Sequence, residues 1–203
     1  MKGIFYGIGI GPGDPEHITL KAVRMMKEVD VIAAPGTDVK ETLAYRIAVQ
    51  AVPEIEQKEM LPIDMPMTMD KEILVKAHKH GAETIEKVLA EGKSVGFITL
   101  GDTTVYSTFS YLEKIVKNHG FETVYISGIT SFCAAAASLG IPLTEWQEPL
   151  HVIPAVHQLD DKLALDGSYV LMKSGRQMPK VKEILKASGR KVNMVENCGL
   201  PNE

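Results

Sequence analysis

From position 7 to position 13 every second residue is glycine, in the run Gly7-Ile8-Gly9-Ile10-Gly11-Pro12-Gly13-Asp14-Pro15. Glycine and proline at this density forbid a helix. The apolar residues between the glycines, with Ile4 and Phe5 ahead of them, fit a buried strand over residues 3–10 that ends in a turn. Asp14 is a good N-cap and Pro15 suits the first helical position, so a helix is expected from there to about residue 28. A strand that turns through bare backbone into a helix is half of an α/β unit.

The rest of the chain repeats that alternation. Strands are expected at 29–34, 94–100 and 123–126, and helices at 41–52, 107–118 and 131–139. The longest helix is expected over 70–91, where Leu74, Ala77, Gly81, Ile85 and Val88 form one apolar stripe. Residues 60–69, with Pro62 and Pro66, read as irregular. Beyond Gly140 the character changes: strands are expected at 150–154, 169–172 and 192–195, around a helix at 178–187. The reading is α/β with two domains, 1–127 and 128–203, in a chain of 203 residues.

Composition narrows the function. The 22 basic and 26 acidic residues leave a net charge of −4, which lacks the basic excess of a general nucleic-acid binder. No apolar run reaches the roughly 18 residues of a membrane span, and the first residues lack the pattern of a secretion signal. Cys133 and Cys198 are far apart and form no CxxC. The expectation is a cytoplasmic, reduced protein without a disulfide framework and without a protein-bound metal. Cys133, in an alanine-rich helix, reads as a small core residue.

The glycine turn fails as a dinucleotide fingerprint. Counted from Gly7 or Gly9, the third required glycine falls on Pro12 or Asp14. There is no GxxxxGK[ST], HExxH or GxSxG. Two further strand-end loops resemble the first: Leu100-Gly101-Asp102-Thr103-Thr104-Val105-Tyr106-Ser107 and Ser127-Gly128-Ile129-Thr130-Ser131-Phe132. Each polar residue has two readings. Asp102 holds a ribose or an amine, or it caps the next helix; Thr130 and Ser131 divide the same way. Three such loops together favour a nucleoside-like ligand. His78 and His80, two apart on a helix, read as surface residues. His151 and His157 flank an apolar strand. Met60, Met65, Met67 and Met69 are adaptable core or a pliable wall for a flat ligand.

Taken in order, these loops resemble the tetrapyrrole (corrin/porphyrin) methylase family, with Leu20-Lys21-Ala22, Tyr106-Ser107-Thr108-Phe109, Ala134-Ala135-Ala136, Val170-Leu171-Met172-Lys173 and Val195-Glu196-Asn197-Cys198-Gly199 also fitting. Within it, Leu61-Pro62, Pro66-Met67-Thr68-Met69-Asp70 and Gly140-Ile141-Pro142-Leu143 look most like enzymes that methylate C-20 of precorrin-2 or cobalt-factor II in cobalamin synthesis. The resemblance implies a two-domain fold with its active site in the interdomain cleft, S-adenosylmethionine as methyl donor, a tetrapyrrole substrate and a homodimer. Its cofactor contacts fall on Pro12, Gly101, Asp102, Val105, Thr130, Ser131, Met172, Cys198 and Gly199. Tyr106 is the candidate base. Arg24, Arg46 and Lys173 are candidates for the substrate carboxylates, and His151 or His157 for an approach to a substrate-borne cobalt. Thr103 and Ser127 stand where the family usually has proline, and relatives are expected to continue for about a strand past Glu203. Siblings acting at another ring carbon, diphthine synthase and a non-catalytic S-adenosylmethionine-binding module are the competing expectations.

Overall fold

The computed structural model describes residues 2–68, 70–155 and 163–203. They form two compact units, 1–131 with 197–202, and 132–196 with 203. The last turn of the chain thus returns to the first unit, a closure that a single division at residue 127 does not describe.

The first unit is an open parallel sheet. Its strands are β1 (Ile4–Gly9), β2 (Val31–Pro35), β3 (Glu59–Ile63), β4 (Val95–Thr99) and β5 (Glu122–Ile126), in the order β3-β2-β4-β1-β5. Its helices are α1 (Leu20–Glu28), α2 (Leu43–Ala51), α3 (Lys71–Ala90) and α4 (Phe109–Asn118). The order dictates which face each helix covers. The chain moves toward β3 from β1 to β2 and from β2 to β3. It moves the other way from β3 to β4 and from β4 to β5. Right-handed crossovers then put α1 and α2 on one face and α3 and α4 on the other. The cores agree: Ala22, Met26, Ile47 and Ala48 share one cluster, while Ile85, Leu89, Phe109 and Leu112 share the second.

Local sequence explains most boundaries. Asp70 caps α3, its Oδ1 accepting the N–H groups of Glu72 at 2.8 Å and Ile73 at 3.3 Å. Glu113 is 5% exposed on α4 and accepts the Thr123 hydroxyl at 2.7 Å, tying that helix to β5. Burial, followed by the Glu113 carboxylate, pushes the Tyr125 phenol up from its usual value.

Several expectations are corrected. The helix expected from 15 to 28 is broken. Pro15–His17 forms a 3₁₀ turn capped by Asp14, Ile18 leaves helical geometry and is buried, and Thr19 starts α1 afresh by accepting Ala22 N–H at 3.1 Å. Residues 59–63 form β3 despite Pro62. Among the described residues β3 pairs only with β2, and an edge strand tolerates the missing donor.

The second unit holds α5 (Ser131–Ser138, from Phe132 onward), β6 (Leu150–Pro154), β7 (Ser168–Met172) and α6 (Met178–Ser188). β6 and β7 pair in parallel, His151 opposite Tyr169. Residues 192–195 are not a strand: no described strand pairs with them, and Val192 and Met194 are exposed. Cys133 is exposed on α5 rather than a core residue, because α5 buries Ala134 and Ala136 instead.

Candidate active site

The carboxyl ends of β4, β1 and β5 lie side by side, so their three loops meet at one edge of the sheet. The chain leaves β1 toward one face and β4 toward the other. Such a switch point opens the crevice where ligands of parallel α/β sheets bind.

Backbone meets backbone there. Gly11 and Gly101 form an isolated bridge, Gly101 N–H donating to Gly11 O at 2.8 Å and Gly11 N–H to Gly101 O at 3.3 Å. Both have φ in the left-handed region, +76° and +70°. A Cβ on Gly128 would stand 2.2 Å from Gly101 O, and one on Gly9 would stand 2.7 Å from that oxygen and from Gly128 N. Three chain segments therefore touch with no side chain between them. The returning segment closes in the same manner: a Cβ on Gly13 would lie 2.2 Å from Cys198 O, and one on Gly199 would lie 2.5 Å from Asp14 N. Asn197, with φ +56°, and Gly199, with φ +76°, shape that turn.

Asp102 is 8% exposed and fastens two of the loops. Its Oδ1 accepts Thr104 N–H at 2.7 Å and the Thr104 hydroxyl, and its Oδ2 accepts Gly128 N–H at 2.8 Å. It is not the cap of α4, which begins at Phe109; Ser107 Oγ takes the Phe109 N–H at 3.2 Å. A carboxylate offers about four lone-pair sites, so one on Oδ2 remains for a ligand. Thr130 does not cap α5. Its Oγ1 is buried without a hydrogen-bond partner, as is Nδ1 of His17, whose Cβ packs under Gly11. Two unpartnered buried polar atoms on the loops of one crevice fit a polar ligand better than an apolar one.

Of the expected site residues, Pro12, Gly101, Asp102, Val105, Tyr106, Thr130, Ser131, Cys198 and Gly199 all belong to the first unit and to these segments. Tyr106 is 45% exposed with φ +50°, a conformation bulky residues rarely adopt. Met172 ends β7 in the second unit, where its carbonyl accepts Ala155 N–H at 2.8 Å; Lys173 follows at φ +59°. Arg24 pairs with Glu28 at 3.7 Å and Arg46 with Glu41, both on the exposed surface. His151 Nε2 is 3.0 Å from Asp166 O and its ring stacks on Tyr169. His157 lies outside the described residues. His78 stacks on Tyr111 with parallel rings 4.8 Å apart, and His80 is exposed. Among the described residues no group of three His, Cys, Asp or Glu side chains is placed to hold a metal ion. None of the described helices is long and apolar enough to cross a membrane.

Two contributors were missed in the sequence. Thr104 doubles the hold on Asp102, and its signal was the Asp-x-Thr spacing of an Asx turn. His17 carried only a faint signal, a polar side chain between Pro15 and an apolar residue.

The family model for tetrapyrrole (corrin/porphyrin) methylases matches residues 5–203, from β1 to the returning turn. The chain belongs to that family. This tetrapyrrole methylase is 36% identical over 199 residues to a protein of Methanocaldococcus jannaschii named as a probable cobalt-precorrin-2 C(20)-methyltransferase, covering 98% of this chain and 84% of that one. It is 31% identical to a precorrin-2 C(20)-methyltransferase of a Sinorhizobium species, covering 93% of this chain and 80% of that one. The crystal structure of a cobalt precorrin-4 methyltransferase superposes with a TM-score of 0.73 at 21% identity, over 98% of this chain and 82% of that one. That likeness extends the tetrapyrrole methylase fold across both units.

Proposed function

We propose that this chain transfers a methyl group from S-adenosylmethionine to C-20 of precorrin-2 or its cobalt complex, a step of cobalamin synthesis. The observation that carries the reading is near-full-length identity to proteins named for that reaction. We favour the cobalt form, because the Methanocaldococcus jannaschii relative, named for it, has a higher identity than the precorrin-2 enzyme. A homodimer in the cytoplasm is part of the proposal.

The residues at the switch point fit S-adenosylmethionine. Thr130 Oγ1 and His17 Nδ1 are orphaned polar atoms, and the glycine turns keep side chains away from the crevice. Pro12, Gly101, Val105, Ser131, Cys198 and Gly199 would hold it through backbone and small side chains, with Thr130 donating or accepting at Oγ1. Asp102 would keep the β4 and β5 loops in register and offer its remaining lone pair. Met172 joins this set on the family resemblance alone. When bound, the sulfonium supplies an already activated methyl group. What remains for the protein is to orient the two reactants and exclude water. Tyr106 is proposed to relay the proton lost from the substrate's meso carbon, and Lys173 to face a substrate carboxylate.

Incubation with S-adenosylmethionine and, side by side, precorrin-2 and cobalt-factor II tests this. Mass spectrometry and carbon NMR should show one labelled methyl at C-20, with faster turnover of the cobalt form. A methyl at another carbon would make the chain a sibling methylase. Binding of S-adenosylhomocysteine with no transfer to any tetrapyrrole would make it a binding module.

A further inference from the structure

The chain leaves α6 through residues 191–194, which are exposed and lie in no described strand, and it rejoins the first unit at Asn197–Asn202. A segment reached through unpaired chain is held by its own contacts. Here they are of two kinds.

The first kind is backbone. Leu200 N–H donates to Asn197 O at 2.9 Å, closing a four-residue turn whose third residue, Gly199, has φ +76°. That is the position where a type II turn requires glycine. The Cys198–Gly199 peptide lies against Gly13, where a Cβ would stand 2.2 Å from Cys198 O and 2.9 Å from Gly199 C. Gly199 in turn sits against Asp14, a Cβ on it standing 2.5 Å from Asp14 N. Asp14 is itself fixed, its Oδ1 accepting Glu16 N–H at 2.8 Å. The second kind is a side chain. Leu200 is half-buried and packs against the core cluster that contains Ile8, Ile10, Ala22 and Met26. Backbone seated on glycine buries little apolar surface, so the hydrophobic part of the attachment falls mainly to Leu200.

We propose that residues 197–200 form a clasp on the β1 loop, that Leu200 is its anchor, and that closing the clasp is coupled to binding of S-adenosylmethionine. The proposal rests on the cofactor reading above, which gives the cofactor Pro12 on one side of this contact and Cys198 and Gly199 on the other. Leu200 is a positioning residue: it faces the core cluster and acts through its two neighbours. Gly11 stays bridged to Gly101 when the clasp opens, so opening removes one wall of the crevice and leaves the sheet edge intact. A ligand that needs the closed form binds more weakly in proportion to the fraction of molecules closed, and its binding holds the clasp shut.

Hydrogen exchange and calorimetry on the full chain test this. In the wild type, S-adenosylhomocysteine should slow exchange in the peptide covering residues 195–203, where the Leu200 N–H reports the turn. Leu200→Ala should speed exchange there, leave β1 and β4 unchanged, and weaken S-adenosylhomocysteine binding about fivefold or more. Leu200→Met should restore both. In turnover of precorrin-2, Leu200→Ala should raise KM for S-adenosylmethionine and leave kcat at saturating cofactor within about twofold, a split that a general loss of stability does not produce. Exchange that rises equally in β1 and β4 makes Leu200 an ordinary core residue and overturns the clasp. An affinity of Leu200→Ala within about twofold of wild type overturns it as well. Either result leaves the cofactor reading standing. A wild type that binds no S-adenosylhomocysteine overturns the cofactor reading and the coupling with it.

Discussion

The first compact unit buries two clusters around a five-stranded sheet, with Phe5, Phe97 and Phe109 completely enclosed. In the second unit the buried cluster comprises Ala155, Leu163 and Val181, and every residue of β6 and β7 is only half-buried. Among the described residues, Ile153, Leu171, Ile184 and Leu185 pack against that cluster, and directional contacts add to it: the His151–Tyr169–Arg190 stack and the carbonyls of 163–167 that Arg190 binds. Core packing can fix a backbone junction to a fraction of an ångström. That difference fits a rigid backbone junction in the first unit.

The sharpest way to break this contrast is a pair of glycine substitutions. Gly128→Ala puts a Cβ 2.2 Å from Gly101 O, where only backbone surrounds it and nothing can give. It should destabilise by about 3 kcal/mol or more and abolish S-adenosylhomocysteine binding. Gly189→Ala meets nothing within 4 Å and contends only with φ +66°, so about 1–2 kcal/mol is expected. Urea unfolding of both variants checks the ranking; equal costs would mean that the junction is looser than its contacts imply.

Asp102→Ala is the next test in size. It leaves Gly128 N–H and Thr104 N–H without their acceptor and frees the β4 loop from the β5 loop. Affinity for S-adenosylhomocysteine should fall by about 1–3 kcal/mol by calorimetry, with a comparable loss of stability. Loss of affinity at unchanged stability would make Asp102 a direct contact rather than a fastening.

The smallest effect sharpens the description of the first unit. Burial lowers the His78 imidazole from its ordinary value of 6.5. The folded state prefers the neutral ring, so this contribution is complete above about pH 6.5 and is lost as pH falls through the lowered value. His78→Phe keeps a ring against Tyr111 and removes the titration. Its urea midpoint should therefore decline less than wild type between pH 6.5 and 4.5.

Sequence patterning located most elements because the signals were local. The strand at 95–99 opens on the apolar run Val95–Ile98, and α3 carries its stripe within its own length and its cap, Asp70, immediately before it. β3 escaped because Pro62 argues against a strand until the strand is known to lie at an edge. The break at Ile18 escaped because burying that side chain against the sheet outweighs continuing the helix. The run 192–195 alternates like a strand, yet no described neighbour supplies a ladder.

The candidate site divides in the same way. Three glycine-containing loops at strand ends could be read from residue order, since glycine and proline restrict φ wherever they stand. Only the tertiary structure decided that Gly9, Gly101 and Gly128 touch, that Asp102 spends most of its lone pairs on Thr104 and Gly128, and that residues 197–202 come back to cover Gly13. Those contacts join segments far apart in the chain. Their existence depends on which strands become neighbours in the sheet, a choice made by burying both faces at once and by the handedness of the crossovers, not by any one stretch of residues.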